Sequence, residues 1–375
     1  MHRSVRSALL IPLTATTLLT GCVSTTDQAD DVAPPFVFRS LNLNQRRDDG
    51  SRDWDLISPE ARYDLESRTV QAQSPTGLVY RDDKPYLRIS AQKATVVNDG
   101  DRIVLEGNVR LQQLTDQRLL IEGERLVWTP DDSNIVVDQQ PTAVDSRSQL
   151  SAERFVLLQD REQLRLDGPT RLLHWPGTRT TETASDTEIL GGSGSWNLKS
   201  GRLAVSGPVT ARRTDDSVLT ASALEGDTAA QFLDLIKPVN LNLGDERGTV
   251  TAQTTRWNYV DRQFRSAGPV EGRRKGMRMR GIGFVMDEGS STLEVISACQ
   301  LEQPGEQLRA QRCLWNWKSQ DIIAENDAQQ LKGRVGDDDR IRFDPADGRV
   351  RSQFRLRGGA PVTQESGSPG TPVTF

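Results

Sequence analysis

The sequence predicts an all-β protein of about ten stacked strand-pair repeats, folded into an open, V-shaped trough. Three observations carry this: short segments that alternate with period two, turn pairs that punctuate them, and recurrence of the pattern at about 30 residues. Arg102-Ile103-Val104-Leu105-Glu106, Gln163-Leu164-Arg165-Leu166 and Val239-Asn240-Leu241-Asn242-Leu243 place apolar side chains on one face and polar ones on the other. A half-buried strand requires that alternation. Asp49-Gly50, Asp99-Gly100, Asp167-Gly168 and Asp347-Gly348 supply turns between such segments. No convincing amphipathic helix interrupts them.

At the N-terminus, Arg3 and Arg6 precede an uncharged apolar stretch, Ala8 to Leu19, which has the length of a signal-peptide core and is too short to span a bilayer comfortably. It ends at Leu19-Thr20-Gly21-Cys22, which resembles the lipobox of bacterial lipoproteins. That resemblance makes residues 1–21 a signal peptide, Cys22 the lipidation site and sole membrane anchor, and 22–35 a tether.

Beyond the tether the repeat begins. Small residues entering a strand stand at Pro59, Ala91, Gly123, Ala152, Ala184, Ala221, Ala252, Gly281 and Ala310. A second marker follows seventeen residues later in four repeats: Asn108, Pro169, Pro238 and Pro269. The long step from Ala184 to Ala221 is read as an insertion at Gly191-Gly192-Ser193-Gly194-Ser195. In Leu203-Ala204-Val205-Ser206-Gly207-Pro208-Val209, apolar residues alternate on both sides of a glycine–proline break. Glycine supplies unusual dihedrals and proline removes a ladder donor, so the strand bends there. Bent strands in a stack make two sheets that meet along a seam. The inner wall is then Ile103, Leu105, Val109, Leu111, Leu203, Val205, Val209, Leu233, Leu235, Val239 and Leu241. Ten rungs at about 4.8 Å give a slot on the order of 50 Å long.

Composition narrows the function. Hydrophobic residues are 35% and aromatics 5%, which fits a thin, extended core better than a large globular one. A net charge of −5 with interspersed signs excludes a general nucleic-acid binder. His174 is the only histidine beyond the signal peptide, so a Ser-His-Asp triad would have to use it, and neither catalytic nor metal-binding residues are assigned. No cofactor is expected. Asp131-Asp132 and Asp337-Asp338-Asp339 read as turns, and the seven tryptophans are spread out rather than clustered as carbohydrate binding would want. Two features stay open. Arg273, Arg274, Lys275, Arg278 and Arg280 form either an anion contact or a strand with a solvated basic face, since Met277 and Met279 alternate with the arginines. Cys299 and Cys313 flank a Pro304-Gly305 turn; a disulfide there would stabilise by about 3 kcal/mol, yet the turn register sets Cys299 opposite Ala310.

Three segments then carry a family resemblance. Asp49-Gly50-Ser51-Arg52-Asp53-Trp54-Asp55-Leu56 running to Ala61-Arg62-Tyr63, Leu87-Arg88-Ile89-Ser90-Ala91-Gln92-Lys93-Ala94, and Ile103-Val104-Leu105-Glu106-Gly107-Asn108-Val109 resemble the LptC family of periplasmic lipopolysaccharide-export proteins, related to LptA and its OstA-like fold. The resemblance implies an elongated, twisted β-jellyroll whose apolar interior carries the acyl chains of lipopolysaccharide or a similar envelope lipid. It also implies a non-enzymatic role in the periplasm at the inner membrane. The implied partners are jellyroll subunits of an inner-membrane ABC transporter and LptA-like proteins, joined by edge-strand addition. It is best over 36–170, continues as a looser repeat over 171–362, and leaves 363–375 as a disordered tail. Family members are usually anchored by a transmembrane helix and are about half as long. A polysaccharide-binding or polysaccharide-active β-solenoid is the competing class; it would show a shorter period and stacked ladders. An envelope scaffold is the third.

Overall fold

The computed structural model describes residues 36–325 except 115–118, 181, 246, 305 and 320, and beyond them the backbone of 329–332, 342–344 and 349–352. The expected signal peptide, Cys22, the tether 22–35, Asp337 to Asp339 and the tail 363–375 lie outside these residues. Among the described residues there is no α-helix, only two single turns of 3-10 helix, Asn98–Gly100 and Gln159–Arg161.

The strands form one antiparallel sheet of 35 strands, folded on itself into two leaves. The first leaf starts with Leu41–Arg46, Arg52–Ser58, Thr76–Arg81 and Lys84–Ser90. The second starts with Phe36–Phe38, Glu60–Asp64, Thr69–Gln73 and Lys93–Val97. The chain lays two strands in one leaf, crosses, lays two in the other and returns. Five long strands belong to both leaves: Arg102–Gln113, Leu120–Thr129, Gln263–Arg274, Met277–Asp287 and Thr292–Gln303. One long edge of the fold is thus a seam of bends, and the other is a rim where hairpin turns of the two leaves face each other.

The bends fall where small residues and Gly-Pro or Gly-Asn pairs interrupt the alternation. Gly107 (φ 77°) and Gly207 (φ 76°) take the left-handed conformation there that L side chains reach only at a steric cost. Pro59, Ala91, Gly123, Ala152, Ala221, Ala252, Gly281 and Ala310 all stand where the chain crosses from the first leaf to the second. Ala184 does not. It lies in the connection between Thr170–His174 and Thr187–Gly191, and the crossing comes after Gly191. The extra residues of this repeat are therefore the rim loop 175–186, not Gly191 to Ser195. Gly191 and Gly194 are strand residues, paired with Thr170 and Val205.

The slot length also needs correcting. Each repeat contributes two strands to each leaf, not one. The 35 strands, five of them shared by both leaves, make about twenty per leaf, so at about 4.8 Å the stack is on the order of 90 Å long, rather than 50 Å.

Between the leaves lies the core, as two buried clusters. One gathers residues from Trp54 to Leu198 and the other from Ile189 to Ala324, and Leu172 packs against both. Cys299 and Cys313 are bonded, with Cα atoms 6.0 Å apart. Cys299 is paired with Ala310, and Cys313 lies opposite Val295. Both facts hold together because the chain crosses between leaves after Ala310. The sulfurs meet across the wedge, not along a ladder.

Candidate functional site

The candidate site is the inner wall itself. Of the eleven residues expected there, nine are buried: Ile103, Leu105, Val109, Leu111, Val209, Leu233, Leu235, Val239 and Leu241. Leu203 and Val205, beside each other on one strand, are half-buried and pack against the second cluster. Their neighbours Glu106, Arg110 and Asn240 are exposed on the outer faces. Alternation along each strand thus sets these apolar side chains between the leaves and their polar neighbours outside. A strand that passes the bend keeps its parity: Leu105 points inward, Gly107 and Asn108 turn the chain, and Val109 points inward again.

In this conformation the rim is shut by contacts between turns and strand ends of the two leaves. Trp54 meets Trp128 edge-on with ring centroids 5.6 Å apart. Arg81 pairs with Glu162, donates from Nη2 to the Gln159 carbonyl at 2.8 Å, and lies 3.8 Å over the Tyr86 ring. His174 meets Tyr259 edge-on at 5.9 Å. Arg213 grips Glu288 with both ends of its guanidinium, at 2.5 and 3.1 Å. Arg274 stacks 5.3 Å from the Trp315 ring. In every pair the first-leaf residue comes earlier in the chain. Arg81 and Glu162 are 81 residues apart, and Arg213 and Glu288 are 75 apart. The leaves therefore cross obliquely: four of the five pairs join residues 74 to 85 apart, some two and a half repeats, and Arg274 and Trp315 are 41 apart. No sequence periodicity reports this offset, and rim partners were missed for that reason.

The basic segment divides between faces. Met277 and Met279 are buried, while Arg273, Arg278 and Arg280 lie on the outer face. Glu271 binds Arg273 and accepts from Arg280 at 2.9 Å, and Glu302 stands opposite Arg278. Hydrogen bonds from Arg280 and then Arg273 hold the Glu271 carboxyl below its ordinary range. This is a cross-strand charge ladder, the arrangement expected of a solvated face. Arg274 alone points inward. Beside it, a depression of about 730 Å3 opens between the turns at Asp245, Lys275 and Pro304.

His174 sits half-buried at the rim, with burial pushing its ring pKa below 6.5 against the opposing pull of Asp186. Asp215 falls to about 2: burial raises it, and hydrogen bonds from Ser217 and Arg247 more than offset that. Arg247 thereby ties the turn at Asp215 to the next turn of the same leaf. Among the described residues no group of histidine, cysteine and acidic side chains could hold a metal ion.

Residues 8–174 match the family model described as Lipopolysaccharide-assembly, LptC-related. The match ends at the last residue of the strand Thr170–His174, immediately before the long rim loop. No curated protein matches the chain.

Proposed function

We propose, from the match of residues 8–174 to the LptC-related model, that this chain is an LptC-related lipopolysaccharide-assembly protein and carries lipid acyl chains between its two leaves as a periplasmic conduit. The observation that carries this reading is the inner wall. It is apolar from Trp54 to Ala324, with the second cluster continuing where the family match stops. An amphiphile held there keeps its chains dry at about 0.8 kcal/mol per methylene while its head stays in water. A uniform wall favours no single position, so the chains slide without a catalytic group. Loading requires the rim contacts to part, and the seam of bends is the natural hinge.

Under this reading Cys22 anchors the protein to a membrane, the inner one in keeping with the family. Neighbouring jellyrolls, of an inner-membrane transporter or LptA-like proteins, add strands to the ends of the stack. Among the described residues, Phe36–Phe38 pairs only with Glu60–Asp64, and Leu41–Arg46 only with Arg52–Ser58. Phe36, Val37 and Phe38 are exposed. An apolar edge strand with one free side is suited to β-augmentation.

The test is photo-crosslinking in cells that export lipopolysaccharide. Crosslinkers at Leu105, Val109, Val205 and Val239 are expected to capture lipid, and those at Glu106, Arg110 and Asn240 are not. Val109→Asp is expected to block passage, because an unpaired carboxylate among apolar chains is costly, whereas Arg110→Asp is nearly silent. Capture on both faces equally, or on neither, overturns the conduit.

A further inference from the structure

Two of the rim contacts share a geometry that the conduit alone does not explain. Arg81 ends the strand Thr76–Arg81 and Arg213 ends Val209–Arg213, both in the first leaf. Their carboxylates, Glu162 and Glu288, both sit in second-leaf turns, 81 and 75 residues onward. The two pairs thus hold equivalent places, one over each buried cluster; Arg213 gives Glu288 two hydrogen bonds, and Arg81 gives Glu162 one and the Gln159 carbonyl the other. Side-chain exposure is 32% and 23% for Arg81 and Glu162, and 13% and 4% for Arg213 and Glu288, so both pairs lie at the boundary between apolar interior and water. That boundary is where the charged head of an amphiphile would sit if its chains occupied the interior.

We propose that Arg81 and Arg213 are head-group sites for an anionic acylated lipid, masked in the lipid-free protein by Glu162 and Glu288. A guanidinium fork binds a carboxylate and a phosphate with the same two parallel hydrogen bonds. A phosphate that arrives as the leaves part therefore takes over the donors released by the glutamate. The exchange keeps each arginine paired in both states, so opening the rim leaves no bare cation at the edge of the apolar interior. Glu288 keeps a second partner, Arg262 at 3.4 Å, when Arg213 leaves it. Arg81 keeps its place over Tyr86, which belongs to its own leaf.

The inference rests on the acyl-chain reading and is tested so that the two fail separately. The full chain, with a photo-crosslinker at Val109 or Val239, is titrated with lipid A and with dephosphorylated lipid A bearing the same chains. Wild type is expected to prefer the phosphorylated form. Arg81→Gln with Arg213→Gln lowers that preference roughly tenfold, with capture of the dephosphorylated lipid retained as the control for folding. Glu162→Gln with Glu288→Gln, which removes the masking charge, raises capture of the phosphorylated lipid and leaves the other unchanged. Arg81→Lys with Arg213→Lys restores part of the preference, since the charge remains and the fork does not. Equal capture of both lipids by wild type, or a preference that none of these variants moves, overturns the head-group sites and leaves the conduit standing. Capture of neither lipid overturns both.

Discussion

At the scale of single residues, the rim concentrates the side chains whose charge state matters. His174 is held neutral by burial. The unfolded chain takes up a proton near pH 6.5, whereas the folded ring resists it. Its contribution to stability is therefore complete above about 6.5 and is lost as pH falls through the lowered folded value. Thermal unfolding between pH 8 and 5 is expected to show a drop in midpoint that His174→Phe reduces. An identical drop in both proteins would mean that carboxylates, not this ring, set the slope. His174 makes a half-buried, edge-on contact with Tyr259. The identity of that partner was illegible, because it depends on how the leaves cross and not on spacing along a strand. The inner-wall residues were legible because alternation is a local property of one strand.

At the scale of elements, bends were more readable than turns. Gly-Pro and Gly-Asn mark the returns from the second leaf to the first by their own backbone chemistry, and eight of the nine small-residue markers fall on the opposite crossings. The ninth failed because a glycine run looks like an insertion, while the true insertion, 175–186, holds a Pro176-Gly177 turn and a threonine-rich stretch that resembles an ordinary loop. The disulfide shows the same limit. Register along the hairpin set Cys299 against Ala310, and only the crossing between leaves brings the sulfurs together. Because that bond ties the two leaves near the seam, Cys299→Ser with Cys313→Ser is expected to lose about 2–4 kcal/mol. Denaturant titration of the double variant and of reduced wild type checks this. A loss below about 0.5 kcal/mol would show that strand pairing alone fixes the wedge at that end.

At the scale of the whole molecule, the family match and the stack do not share a boundary. His174 closes the matched segment, but its rim partner is Tyr259, and Leu172 packs against both clusters. A chain ending after residue 174 is therefore expected to keep its strands and lose the cover over its last first-leaf rungs. Binding of a hydrophobic dye, strong for the 1–174 fragment and weak for the full chain, is the measurement. Weak binding by both would mean that the first portion closes on itself. The oblique crossing also bears on how such a chain is made. Seam pairings join residues near in sequence and zip up as soon as each hairpin is complete. Closure across the rim waits, over most of the stack, for another 74 to 85 residues. A polypeptide delivered N-terminus first thus always trails a window of that length in which the backbone ladder is finished and the greasy wall is bare. Contacts of such high sequence separation fold late, so the hazard of biogenesis is not mispairing of strands but self-association through that travelling window.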